Sequence, residues 1–140
     1  IGKLIFAVQA ESAYQRVLEL QHGTALGSLE AERTLFEFTH PEVGEMVAER
    51  WDLPARYVAG IAHHHDPVAA GDERPFCAAS GLSDQAAHAA LCVQGPPGTH
   101  DEERTALLET LNLSPKIWDD CLRHLREAQP NIEAFVGAIH

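Results

Sequence analysis

Residues 39–67 read THPEVGEMVAERWDLPARYVAGIAHHHDP, and this stretch predicts two consecutive helices with a short turn between them. Thr39 is followed three residues later by Glu42, which is the spacing of a capping box at the start of a helix. Asp52-Leu53-Pro54 is expected to end the first helix and to begin the second. Pro67 disfavours helical backbone at the residue before it, so the second helix should end at Asp66.

The histidines of this stretch lie at opposite ends of the two predicted helices. His40 opens the first helix, whereas His64 and His65 close the second. An antiparallel pair should bring His40 within ~6 Å of at least one of the other two, the reach of a shared ion or a bridging water. Imidazole is a ligand of Zn, Fe and Ni, so the three side chains are candidate metal ligands. A histidine at a helix end also serves as a cap or a partner of the helix dipole, which is the alternative role for His40.

The remaining sequence predicts an all-α fold, a compact bundle of about seven or eight helices that forms a single domain over residues 1–140. No segment of β-branched residues alternates at period two, and no internal repeat is visible. We expect further helices over residues 3–22, 29–38, 84–93, 99–111, 115–130 and 132–139, and a loop over 67–83. The side chains predicted to be largely buried are Val43, Val47, Trp51, Val58, Ile61, Leu91, Trp118, Leu122 and Phe135.

Composition excludes two classes of partner. The net charge is −11 and the ten Lys and Arg residues form no basic run, which argues against nucleic acid. No apolar run approaches the ~18 residues that a membrane span needs. Cys77, Cys92 and Cys121 lack C-x-x-C spacing and fit reduced thiols in a cytoplasm.

Several motifs in order resemble one family. Ile1-Gly2-Lys3 is similar to the end of a His-Asp-Ile-Gly-Lys segment. It is followed along the chain by His40-x-x-x-Gly44, by a W-x-L-P motif at residues 51–54, and by a triple histidine with Asp66-Pro67 after it. Together they resemble the HDOD domain, a bacterial signalling branch of the HD superfamily, over residues 1 to about 91. The His-Asp pair would precede Ile1, so we expect a fragment that lacks the N-terminal part of the domain.

The resemblance implies a metal-binding site that has lost part of its ligand set. His40 matches the histidine after the His-Asp segment, and His64 and His65 match the later histidine pair. Lys3 matches a lysine that meets a phosphate. Leu91 stands where the family places its last aspartate ligand, and a leucine cannot bind a cation.

The resemblance therefore implies a non-catalytic, cytoplasmic regulatory domain that acts through contacts with protein partners or attached signalling domains. We expect no required cofactor, with a single divalent metal ion as the candidate ligand of His40, His64 and His65. The alternative is a metal-dependent phosphohydrolase that acts on a nucleotide or a cyclic dinucleotide. A third reading is a structural fragment of a larger regulator.

Overall fold

The computed structural model describes residues 1–24, 26–91 and 101–138, and the regular secondary structure of these ranges is entirely helical. The predicted all-α class is confirmed. None of the helices in these ranges has the length and hydropathy needed to cross a bilayer. The chain divides into two compact units, residues 1–73 and 74–140, which are described separately.

The first unit contains five α-helices and one 3-10 segment. They are α1 (Gly2–Gln9), α2 (Glu11–Gly23), α3 (Ser28–Phe36), α4 (His40–Arg50), α5 (Ala55–Ala62) and the 3-10 segment Pro67–Glu73. The chain packs α1 against α2 and α4, α2 against α3, and α4 against α5. The α4–α5 pair is the predicted helical hairpin, and its start and turn follow the sequence signals.

The start of α4 has the predicted capping pair. The Glu42 carboxylate accepts the Thr39 backbone N–H at 2.7 Å and the Thr39 hydroxyl at 2.9 Å. Pro41 lies in the first turn, where its missing N–H has no helical partner to lose. The predicted end of the second helix was wrong, because α5 stops at Ala62 and His63 is its C-cap.

The buried face of α4 differs from the predicted one. Gly44 and Ala48 are buried, whereas Val43 and Val47 are half-buried and Trp51 is 63% exposed. The prediction that Trp51 is buried was therefore wrong. A Cβ on Gly44 would meet the Cγ2 atom of Ile61 at 2.6 Å, so α5 packs against the row of small residues. Val43 and Val47 each precede one of these small residues in the sequence and are only half-buried.

The predicted single helix over residues 3–22 is two helices. Ala10 interrupts it, with φ −139° and ψ 40°. Phe6 and Tyr14 would lie about 12 Å apart along a straight helix, yet the break brings their ring centroids to 5.7 Å. Phe6 also stacks on Phe36 of α3 at 4.6 Å. This aromatic contact joins α1, α2 and α3 and explains why the chain turns at Ala10.

The second unit contains α6 (Arg74–Leu91), α7 (Asp101–Thr110) and α8 (Lys116–Gly137), with α6 packed against both others. The predicted loop over 67–83 was wrong, because residues 67–73 form the 3-10 segment and α6 begins at Arg74. Pro75 lies in the first turn, where proline is tolerated, and Gly81 is a buried interior residue of α6. Cys77 is completely buried.

Helix α8 was predicted to break at Pro130, yet it continues to Gly137. Phe135, predicted to be buried, is 68% exposed, because it lies on the part of α8 beyond Pro130 where neighbouring side chains are exposed too. Trp118 is half-buried, with the Arg104 guanidinium 4.8 Å from its ring centroid. The Leu91 side chain, the predicted end of the 84–93 helix and the predicted start of the 99–111 helix lie outside the described residues.

Candidate metal centre

His40 is held at the start of α4 by a carboxylate from α3. Glu32 is 1% exposed and His40 is 5% exposed. One Glu32 oxygen accepts the His40 backbone N–H at 2.7 Å, and the two oxygens lie 2.8 and 2.9 Å from the ring Nδ1. The backbone bond satisfies an N–H that has no partner within the helix. The ring contact makes Nδ1 the donor, because an ionised carboxylate only accepts.

The end of α5 fixes the His64 ring with its proton on Nδ1, as Glu32 does for the His40 ring. Its Nδ1 lies 2.8 Å from the carbonyl oxygen of Ile61, which again only accepts, so Nδ1 carries the proton. The Nε2 atoms of His40 and His64 are 3.2 Å apart. In two neutral rings with these tautomers both Nε2 atoms present lone pairs, which repel at this distance. A cation shared by both Nε2 atoms would remove this repulsion.

His65 completes a group of three imidazoles. Its Nε2 lies 3.2 Å from the Nε2 of His40, and one ring nitrogen from each of the three residues lies within 4.8 Å of the others. In a tetrahedral Zn²⁺ site with Zn–N of 2.0–2.1 Å, ligand nitrogens are about 3.3 Å apart. Two edges of the His40–His64–His65 group already have this length. The donors thus fit a cation that prefers nitrogen, such as Zn²⁺ or Ni²⁺.

An open cavity of about 900 Å³ lies beside the histidine group. His65 lines it, so this edge of the group faces solvent, whereas His40 is buried. Arg33 and Glu42, which form an ion pair at 3.0 Å, also line the cavity, as does Asp66. Charges of both signs surround the cavity, and the lining does not single out an anionic ligand.

The prediction that His40 lies within ~6 Å of His64 or His65 is confirmed, because its Nε2 lies 3.2 Å from the Nε2 of each. His63 is half-buried and lines the cavity, but it lies outside the ligand group. Lys3 is half-buried in α1. Among the ranges that the structure describes, this is the one group of three or more potential ligands with metal-site spacing.

Sequence reasoning missed Glu32. The signal was present, because Leu29, Glu32 and Phe36 recur at helical spacing, and a charged residue in an otherwise apolar row needs a partner. The effect of Glu32 extends to α2. Burial raises the pKa of Tyr14, and the negative charge of Glu32 raises that pKa further.

The comparison with known families identifies the first half of the chain. The family model of the HDOD domain matches residues 1–67, which confirms the resemblance over that range rather than over the expected 1 to about 91. The matched range contains α1–α5, the three histidines and Glu32. No curated protein and no solved structure matches the chain.

Proposed function

We propose that this chain is a non-catalytic signal-transduction domain of the HDOD type that works in the bacterial cytoplasm through protein contacts. We propose further that His40, His64 and His65 form a site for one divalent metal ion with a structural role. The observation that carries the metal site is the ligand group itself, which among the described residues consists of three imidazoles and includes no carboxylate ligand. Such a group suffices for one ion that prefers nitrogen.

Hydrolysis of phosphate esters at two-metal sites needs more than this group offers. Two ions about 3.5–4 Å apart must clamp the attacking and leaving oxygens, and each needs its own ligands. The resemblance places the last carboxylate ligand at residue 91, which is leucine here. The three nitrogens found among the described residues suit one ion rather than two, which supports the proposal of a single structural ion.

Exposed apolar side chains on the α4–α5 hairpin support a role in protein contacts. Met46, Trp51 and Tyr57 are 69%, 63% and 54% exposed. Tryptophan, tyrosine and methionine are enriched at the centres of protein interfaces. Trp51→Ser should leave the stability of the chain within about 0.5 kcal/mol, as for other surface substitutions. The same change should impair signalling output in cells, and an unaltered output would exclude Trp51 from the contact surface.

The test of the non-catalytic assignment is a direct assay. The purified chain, supplied in turn with Mn²⁺, Fe²⁺ and Ni²⁺, should not hydrolyse cyclic dinucleotides or nucleotides above the rate of the metal alone. His64→Ala and His63→Ala are the matched variants, because only His64 belongs to the ligand group. Turnover that is lost in His64→Ala and kept in His63→Ala would establish the phosphohydrolase alternative.

A further inference from the structure

We propose that Glu32 is the positioning residue that sets the affinity of the His40–His64–His65 group for a divalent metal ion. This inference rests on the metal site proposed above. Glu32 offers no atom to the ligand group itself. It acts on the group through His40, which it contacts at both the backbone and the ring.

The first argument is the burial of the carboxylate. Glu32 is among the largest fully buried side chains in the described ranges. A buried charge is strongly unfavourable unless hydrogen bonds and opposite charge compensate it. The hydrogen bonds that the structure gives Glu32 all go to His40. One oxygen is enough to accept the His40 backbone N–H. Because both oxygens also contact Nδ1, we infer that the carboxylate acts on the imidazole ring as well.

The second argument is the state of the ring. A carboxylate on Nδ1 fixes the tautomer in which Nε2 carries the lone pair, and it makes that nitrogen a stronger donor to a metal. Nε2 of His40 is also the atom that lies 3.2 Å from the Nε2 atoms of His64 and His65. Glu32 therefore orients Nε2 of His40, which is the donor atom that lies near both other histidines.

The third argument is charge. Three neutral imidazoles bring no negative charge to a divalent cation, whereas Glu32 places a carboxylate one ring away from it. Of the three histidines, His40 is the buried one, where the local dielectric is lowest and the charge acts most strongly. Removing that charge should weaken binding even where the fold and the three rings remain in place.

The experiment is a Co²⁺ titration of the purified chain, followed by the visible d–d absorption of the bound ion, and a Zn²⁺ titration against a chelator. Glu32→Gln should weaken both affinities about 10–100-fold, the usual effect of losing such an outer partner. Glu32→Asp, which keeps the charge, should recover part of the loss. Glu30→Gln is the matched control on α3, because Glu30 is exposed and caps Gly27 instead, and it should leave both affinities unchanged.

The outcomes separate the two proposals. A wild-type chain that binds neither Co²⁺ nor Zn²⁺ would overturn the metal site. Wild-type binding that is matched by a folded Glu32→Gln variant would overturn only the role of Glu32. If Glu32→Gln does not fold, ¹H–¹⁵N spectra of the Zn²⁺-loaded wild type decide. They should show His40 protonated at Nδ1 and bound through Nε2, and binding through Nδ1 would contradict the proposal.

Discussion

A Cβ on Gly44 would lie 2.6 Å from the Cγ2 atom of Ile61, closer than real side chains approach, so α4 and α5 pack at a distance that only glycine permits. Gly2 of α1 makes a similar approach, since a Cβ there would overlap the backbone carbonyl of His40. Two glycines thus hold the start of α4 between α1 and α5. His40, the first residue of α4, lies at this contact.

Gly44→Ala should lower the free energy of unfolding by up to about 2 kcal/mol. Overpacking costs about 1–3 kcal/mol, and the better helix propensity of alanine returns about 1 kcal/mol. The Ile61 methyl cannot move aside easily, because χ1 of isoleucine is restricted in a helix. Urea unfolding measures the change.

Gly23→Ala is the matched control for Gly44→Ala. Gly23 is the last residue of α2, and a Cβ there would meet nothing within 4 Å. This variant should keep or slightly raise the stability of the chain. Equal stability of the two variants would show that the close approach of α4 and α5 is absent in solution.

Glu42→Gln should destabilise the chain by about 0.5–1 kcal/mol at neutral pH, because it weakens the cap of α4 and removes a negative charge from the helix start. The Thr39 backbone N–H holds the pKa of Glu42 below its usual value of 4.5, and the Thr39 hydroxyl and Arg33 lower it too, against an opposing effect of burial. A lowered folded pKa means that the stabilisation is present above pH 4.5 and is lost as pH falls through the folded value.

The measurement for this cap is the difference in unfolding free energy between wild type and Glu42→Gln, followed from neutral pH into acid. The difference should shrink as the pH falls below the usual Glu42 value. Glu49→Gln is the control on the exposed side of the same helix, and its difference from wild type should stay small throughout. A pH-independent difference for Glu42→Gln would argue against the charged cap.

The sequence predicted the features that depend on neighbouring residues. Thr39 and Glu42 marked the start of α4, and the convergence of His40 with His64 followed from a hairpin whose turn is marked by Pro54. Features that depend on distant contacts were not predictable. The partner of Glu32 lies on another helix, and Trp51 is exposed because the close contact with α5 selects the side of α4 that bears Gly44.

Tyr14→Phe should make the chain less sensitive to alkaline pH. Burial and the charge of Glu32 both raise the pKa of Tyr14 above 10.0. The neutral phenol of Tyr14 therefore stabilises the folded state. This contribution is fully present below the unfolded pKa of about 10, and it is lost as the pH rises through the higher pKa of the folded state. Unfolding followed by circular dichroism above pH ~10 should show a smaller loss of stability for Tyr14→Phe than for wild type.

The phenolate absorbance offers a separate check on Tyr14. The sequence has two tyrosines, so Tyr57→Phe leaves Tyr14 as the single phenol. Adding Glu32→Gln to that variant should lower the midpoint of the Tyr14 titration, because one of the two causes of its raised pKa is gone. An unchanged midpoint would place the Glu32 charge away from Tyr14.

Pro130→Ala should raise the free energy of unfolding by about 1–3 kcal/mol, because an interior proline removes a helical hydrogen bond and crowds the carbonyl four residues earlier. That carbonyl belongs to Arg126. Urea unfolding measures the gain. Pro115→Ala, just before α8 begins at Lys116, should be close to neutral, since no helical bond is lost there. Equal effects of the two changes would mean that α8 does not continue through Pro130.

Zn²⁺ should stabilise the chain against unfolding, whereas Mg²⁺ at the same concentration should not. The ligand group offers nitrogen donors, which suit Zn²⁺, and lacks the oxygen ligands that Mg²⁺ requires. An ion that binds only the folded state adds about 2.7 kcal/mol when its free concentration is about 100 times its dissociation constant. Thermal unfolding at several Zn²⁺ concentrations, with and without a chelator, measures this gain.

Two neighbouring histidines distinguish specific binding from surface binding of Zn²⁺. His65→Ala removes a member of the ligand group and should abolish the stabilisation, whereas His63→Ala lies outside the group and should retain it. The two residues are separated in sequence only by His64, so nonspecific binding to the histidine run would be weakened alike in both variants. A similar loss in both would therefore remove the metal site, because the geometry assigns a ligand atom to His65 and none to His63.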